Sequence, residues 1–306
     1  RPWRTSTSEA LWHWHRIYAP TWKPSYVKSA RALIEHHLAP FFGEKELHTI
    51  TEEDLLLFIR EKLDAGKAPN TVRNALAVLR RVFHLAERQG KVPRNPASRV
   101  GELMRQVEAS ASTEVREVQH WTRREVESLL AIAQREDLAV AQILGFAFAT
   151  GCRRGEIFAL QWRDVSLTES TATIRRSFSD RRLSTPKGRR SRRVPLPASA
   201  LEALERLLEQ RKRESLERGW PEVPAFVFCT PKGTAWDPGY FSRRWERVRR
   251  IAQREGARPL KFHATRHTWA TLALAAGKSP RWVADVLGHA DPSLTLRVYA
   301  HALREE

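Results

Sequence analysis

Three times between residues 25 and 90, apolar side chains return at the three- and four-residue spacing that lines one face of a helix. That repeated period confines the first third of the chain to a helical bundle. From Ser25 to Leu38 the set is Tyr26, Val27, Ala30, Leu33, Ile34 and Leu38, with Ser25 placed to cap the first turn. Thr51 opens a second run holding Leu55, Leu56, Phe58, Ile59 and Leu63, and Gly66 closes it. A third starts near Asn70, carries Val72, Ala75, Leu76, Leu79, Val82, Phe83 and Ala86, and stops at Gly90. Pro93 and Pro96 then block continuation.

The polar faces of this bundle hold Lys23, Lys28, Arg31, Arg73, Arg80 and Arg81, which suit a phosphate backbone gripped without reading sequence, or an ordinary solvated face. Between Met104 and Gln119 periodicity fades, and residues 108–114 turn small and polar, which predicts a linker. Thr122 and Glu125 then form a capping-box signature that opens a second domain. An apolar helix follows over Ala139–Thr150, and a basic stretch rich in β-formers, Thr171–Leu196, predicts short strands. Helices are expected again over Ser199–Arg218, Asp237–Glu255, His263–Ala276 and Pro280–Leu287. The layout is thus two domains, 1–107 and 120–306, joined by a linker at 108–119, and the fold is mainly α with a small β-sheet in the second domain. At 306 residues the chain is long enough for each domain to bury a core.

Charge narrows the partner class. A formal net charge of +18 attracts polyanions, which puts nucleic acid ahead of a membrane surface. Arginine outnumbers lysine 42 to 11, and the planar guanidinium suits paired phosphate contacts, although codon bias accounts equally well for the ratio. Cys152 and Cys229 stand far apart in no zinc-ligand pattern, so neither a disulfide framework nor structural zinc is expected, and a reducing cytosol fits. The longest apolar stretch, Ala139–Ala149, carries Gln142 and is too short to cross a bilayer, and no signal-peptide block opens the chain. The sequence starts at Arg1 rather than a methionine, which reads as a fragment or a processed chain.

Four constellations in the second domain can carry chemistry. Thr150-Gly151-Cys152-Arg153-Arg154-Gly155-Glu156 offers a glycine-flanked turn that can present Arg153 to a cleft beside Glu156, or a surface turn with a local ion pair. Arg181 to Arg193 holds six arginines, among them Arg189, Arg190 and Arg192, plus Lys187, and no acid. There Pro186-Lys187-Gly188 reads as a hairpin tip, with a solvated phosphate-binding loop as the other reading. In His263-Ala264-Thr265-Arg266 the i, i+3 spacing puts His263 and Arg266 on one helical face, where both can address one anion, or serve as a capping histidine and an exposed arginine. Leu287-Gly288-His289 is followed by Tyr299, a residue that taken alone is as readily a packing group.

Taken together these residues resemble the tyrosine recombinase, or phage integrase, family. Its T-G-x-R-x-x-E box corresponds to Thr150–Glu156, its H-x-x-R-H-T box to His263–Thr268, its L-G-H box to Leu287–His289 and its nucleophile to Tyr299, in order and with similar spacing. The first domain looks like the family's helical core-binding domain, with Pro40–Gly43 and Leu47–Thr51 matching two of its turns. The resemblance implies a C-shaped clamp on double-stranded DNA and a reaction that cuts and rejoins strands through a 3′-phosphotyrosyl bond and a Holliday junction. It implies Tyr299 as nucleophile, Arg153 and Arg266 as clamps on the non-bridging oxygens, and His263 as proton acceptor. Lys187 would be proton donor to the leaving oxygen, His289 a phosphate partner and Glu156 an orienting group. Phosphoryl transfer is catalysed mostly by positioning and charge, so those residue types fit, and neither cofactor nor metal is implied. A homotetramer at synapsis, a monomer or dimer off DNA, a prokaryotic cytoplasm and a mobile-element role complete the expectation.

Only seven residues follow Tyr299, so the family's docking tail is expected to be short or removed, and an upstream arm-binding domain stays open. Two rivals remain at this point: a type IB topoisomerase-like relaxing enzyme and a non-catalytic DNA-binding protein.

Overall fold

The computed structural model describes residues 5–110, 119–179, 182–185 and 191–289. The chain divides into two compact units, residues 1–116 and 117–306.

In the first unit α1 (Thr7–Tyr18) opens on a capping box: the Ser6 hydroxyl accepts from Glu9 N–H and the Glu9 carboxylate accepts from Ser6 N–H, each at 3.2 Å. This helix was not among those expected, although its Ser-x-x-Glu signature is present at Ser6–Glu9. A 3-10 turn at Ala19–Thr21 leads into α2 (Pro24–Leu33). Lys23 rather than Ser25 occupies the N-cap, because Pro24 takes the first helical position, where its missing N–H costs nothing. Residues Ile34–Leu38 continue α2 as a widened turn in which Ala39 N–H reaches Ile34 O, and α3 (Ala39–Phe42) follows. The cause is Pro40, which has no N–H to donate and whose ring would strike the carbonyl one turn back.

After a 3-10 turn at Leu47–Thr49, α4 (Glu52–Asp64) starts on the expected Thr51 cap, here with Asp54 as its reciprocal partner. Helices α5 (Pro69–Arg88) and α6 (Val100–Ser110) close the bundle. Its core is the predicted apolar stripe: Leu38, Leu55, Phe58, Ile59, Leu76 and Leu79 have no solvent exposure. Helix α6 runs to Ser110, into the first residues of the expected linker, since Glu108 and Ala109 are good helix formers. Linker residues 111–118 lie outside the described segments.

The second unit opens with Trp121 and α7 (Arg123–Glu136), capped by Thr122 and Glu125 as expected. Trp121 is buried, its backbone N–H donates to Thr268 Oγ1 at 3.0 Å and its indole N–H donates to Arg258 O at 3.0 Å. These bonds fasten the start of the unit to the loop and helix around Arg258 and Thr268. Helix α8 (Leu138–Thr150) is capped by Asp137 and buried on most sides, and the short α9 (Arg154–Phe158) follows. Then come β1 (Val165–Ser166), β2 (Thr171–Ile174), β3 (Ser177–Ser179), β4 (Arg182–Ser184) and β5 (Arg192–Pro195). Helices α10 (Ala198–Arg218), α11 (Pro238–Arg254), α12 (Ala264–Ala275) and α13 (Pro280–Leu287) complete the described part, each within one residue of expectation.

The strands make two small antiparallel sheets rather than one, β1-β2-β5 and β3-β4. Strand β5 pairs with β2, Ala172 opposite Val194, both fully buried. Strands β4 and β5 belong to different sheets, and the hairpin tip expected at Pro186-Lys187-Gly188 falls between them, outside the described segments.

Candidate active site

The end of α8 sets the first group. Gly151 ends that helix with φ +64°, and an added Cβ would lie 2.8 Å from the Trp269 ring. Glycine is required there twice, for the backbone and for the space. The turn delivers Arg153 as the residue that starts α9. One turn on, the Glu156 carboxylate accepts from Arg153 N–H at 2.9 Å and from the Arg153 guanidinium at 3.0 Å.

Glu156 is 1% exposed and has a second partner. Arg192, on β5, donates through both terminal nitrogens to its two oxygens, at 2.9 and 2.6 Å, and through Nε to Val286 O at 2.7 Å. Burial would raise the Glu156 pKa, but the hydrogen bonds and charge of Arg192 and Arg153 outweigh it and hold the group below the usual carboxylate range. This corrects the expectation that Arg192 grips DNA phosphate: its guanidinium is committed to Glu156 and to the end of α13. The alternation of β5 carried the signal, since Arg192 shares its inward face with buried Val194 and Leu196.

Arg266 enters from the first turn of α12, 2% exposed. It donates to Gly151 O at 2.9 Å and to Leu287 O at 2.6 Å, and the Arg153 guanidinium also points at Leu287 O, at 3.4 Å. Three arginines from separate stretches of chain thus converge on the last carbonyls of α13, where the helix dipole leaves partial negative charge. Gly288 ends that helix with φ +66° against the Arg192 side chain, and His289 comes next. Burial, and then the charge of Arg153, push Arg266 down to about 9. Of the described groups bonded to these guanidiniums, Glu156 is the carboxylate, so three positive charges meet one negative and an excess of two remains.

The histidines sit around this excess. His289 is half-buried, and burial followed by Arg266, Arg153, Arg192 and His267 lowers its pKa to about 4. His267, which the sequence analysis quoted without a role, is lowered to about 4 by burial and then by His263, Arg266 and His120. His263 occupies the N-cap of α12, exposed, its ring 5.0 Å from that of His267 and nearly perpendicular to it. Arg266 is buried, and His263, three residues earlier, is exposed.

Lys187, Arg189, Arg190 and Tyr299 lie outside the described segments. In the first unit Lys23, Lys28 and Arg31 are exposed along α2 and its cap, and Arg73, Arg80 and Arg81 along α5.

A buried carboxylate bonded to two arginines, with a third arginine and two histidines of lowered pKa nearby, is an arrangement that can hold an oxyanion. Residues 119–306 match the model of the Phage integrase family and residues 8–102 that of the Phage integrase central domain, so the chain belongs to the phage integrase family and is a tyrosine recombinase. Among curated relatives, it is 24% identical over 284 residues to the ICEBs1 integrase of Bacillus subtilis (strain 168), covering 91% of this chain and 74% of that one. It is 30% identical over 266 residues to tyrosine recombinase XerD of Listeria monocytogenes serovar 1/2a, covering 84% and 80%. A solved structure of the Tn1549 transposon integrase in complex with a circular intermediate DNA superposes with TM-score 0.81 over 97% of this chain and 95% of that one, at 18% identity. Among the described residues no helix is long and apolar enough to cross a membrane.

Proposed function

We propose that this site-specific DNA recombinase works through Tyr299 as nucleophile on a phosphate held by Arg153 and Arg266. The observation that carries the reading is the double positive charge that the described groups leave where three arginines meet at the end of α13. A phosphodiester brings one negative charge and the five-coordinate transition state two, so the excess is matched more fully at the transition state than in the ground state.

In the proposed cycle the Tyr299 oxygen attacks phosphorus, its proton passes to His263, and the bond from phosphorus to the 5′ oxygen breaks. Lys187 protonates that oxygen. The 3′-phosphotyrosyl bond conserves the phosphodiester energy, and attack by a 5′ hydroxyl of the partner strand reverses the steps, with no cofactor required. His289 donates a hydrogen bond to the phosphate, and its low pKa keeps it neutral for that role near pH 7 in the empty site. Glu156, fixed by Arg192, holds Arg153 in place.

Residues 1–107 act as the core-binding domain, 108–119 as linker and 120–306 as catalytic domain, each domain acting on double-stranded DNA. Lys23, Lys28, Arg31, Arg73, Arg80, Arg81, Arg189 and Arg190 meet backbone phosphates. Four copies assemble at synapsis around a Holliday junction, and the likeness to the ICEBs1 and Tn1549 integrases favours integration and excision of a mobile element in a prokaryotic cytoplasm. The test is a nicked DNA substrate that traps the covalent intermediate. The native chain should yield a protein–DNA adduct stable to denaturant and Tyr299→Phe none; an adduct formed by the phenylalanine variant would overturn the assignment.

A further inference from the structure

Far from the arginine pocket in sequence, the first unit carries four aromatic residues at four-residue intervals, Trp14, Tyr18, Trp22 and Tyr26. They run from the second half of α1, through the 3-10 turn, into the first turn of α2. Their rings form one continuous set. Trp14 and Trp22 lie 4.7 Å apart, Trp22 meets Tyr26 edge to face at 4.9 Å, and Tyr18 is parallel to Trp22 within 9°. Trp14 alone is fully buried, while the other three keep partly open faces.

Those faces bound a recess of about 460 Å³ whose opposite wall is one side of α5, including Arg81, His84 and Arg88. The volume falls in the range of small-molecule sites, and among the described residues no acidic side chain lines it. Arg81 and Arg88 are exposed at its rim, and the Arg81 guanidinium, 5.3 Å from the Tyr26 ring centre, donates to the Tyr26 hydroxyl. Arg81 also borders the adjoining recess, where Arg80 and Arg94 stand with Glu87.

Aromatic walls under a cationic rim select the occupant by chemistry. A quaternary or protonated amine would suit the rings and be repelled by the arginines. A neutral apolar ligand would leave the guanidiniums with nothing to bind. A flat, π-faced group carrying a phosphate satisfies both walls, and stacked duplex DNA cannot offer such a face until a base leaves the stack. Strand exchange detaches a cut strand from its complement, so unpaired bases arise in the reaction this enzyme performs.

We propose that the recess between α1, α2 and α5 is a binding site for a single unpaired nucleotide of DNA, its base against Trp22 and Tyr18 and its phosphate on Arg81 and Arg88. The site rests on the reading of the first unit as DNA-binding. It would hold a displaced base away from its former partner while the strand changes duplex.

The experiment uses the full chain as Tyr299→Phe, which stops cleavage, with three short duplexes: fully paired, with a one-nucleotide 2-aminopurine bulge, and with an abasic bulge of the same backbone. Base–aromatic stacking supports a preference of about 5- to 100-fold for the base-containing bulge over the abasic one, together with quenching of 2-aminopurine fluorescence. Adding Trp22→Leu should remove preference and quenching while the paired duplex binds as before, and Trp22→Phe should keep part of both. Arg88→Gln, at an exposed position that folding does not depend on, should weaken the bulged duplex alone by roughly 3- to 10-fold, the scale of one charge-assisted phosphate contact. Equal affinity for the two bulges, or a preference that survives Trp22→Leu, overturns the site. Failure to bind even the paired duplex would instead overturn the DNA-binding reading beneath it.

Discussion

Arg192 touches no reacting group in the proposed cycle, yet it is the residue on which Arg153 depends. Glu156 shares its oxygens between the two guanidiniums, and Arg192 fills both of them while its Nε reaches the end of α13. Arg192→Ala should therefore let Arg153 shift. A displacement near 1 Å costs on the order of 100-fold in rate, while affinity for duplex DNA should hold within about 2-fold because no phosphate contact is lost. Arg192→Lys should restore little, since an ammonium cannot bridge both oxygens. A methylphosphonate at the cleavage position separates positioning from general damage. It removes the negative oxygen that Arg153 holds, so the variant should approach the native rate on that substrate, and a deficit that persists there would refute the role. The boxes around Arg153, Arg266 and His289 were legible because each is a short run of fixed spacing. Arg192 was hidden among five other arginines, and only strand alternation separated it from them.

At the scale of elements, helix ends carry the site. Helices α8 and α13 both finish on a left-handed glycine, and Arg266 grips the carbonyl of the first, Gly151, and that of Leu287, next to the second. Gly151→Ala forces a side chain into a backbone region that costs about 1 kcal/mol and drives its methyl against the Trp269 ring, where overpacking adds roughly 1–3 kcal/mol. Trp269 cannot simply yield, because its indole N–H donates to Ala149 O at 3.1 Å and its ring stacks on Trp282. Thermal or denaturant unfolding of the second unit should show a loss of about 2–4 kcal/mol, and a variant as stable as the native chain would refute the steric argument. The helices themselves could be read from apolar period and caps, to within a residue in most of the second unit. Strand pairing could not, because β5 pairs with β2, some twenty residues earlier in the chain, and nothing local in the β5 sequence names that partner. The widened turn before Pro40 was equally hidden: proline marks a break in the ladder but not how the helix absorbs it.

For the whole molecule, the same positive charge that draws DNA makes the empty catalytic unit sensitive to acid. His267 and His289 both titrate near 4 in the folded chain, against 6.5 when unfolded, because burial and the surrounding arginines oppose a further positive charge. A histidine whose folded pKa is depressed binds fewer protons in the native state between those two values. Stability therefore rises with pH through that window and is lost as pH falls from about 6.5 toward 4. Paired carboxylates act in a lower window. Glu125, held at about 2 chiefly by Arg258, and Glu156, held down by Arg192 against its burial, withdraw their contribution only as pH drops below the ordinary carboxylate range. In the first unit the lowered histidine among the described residues is His37, depressed by its burial and by Lys62, while Asp54, whose burial is outweighed by Lys45 and Thr51, is lowered and acts in the carboxylate window, so that unit should lose less over the upper window. Calorimetry from pH 7 to pH 4 should show the transition of the second unit moving down more steeply than that of the first. His289→Gln should flatten the steeper slope, and a bound phosphodiester, which cancels part of the excess charge and raises the His289 pKa, should flatten it in the native chain. If the slope is unchanged by both, the histidines do not feel the arginines, and the charge excess assigned to the active site is not there.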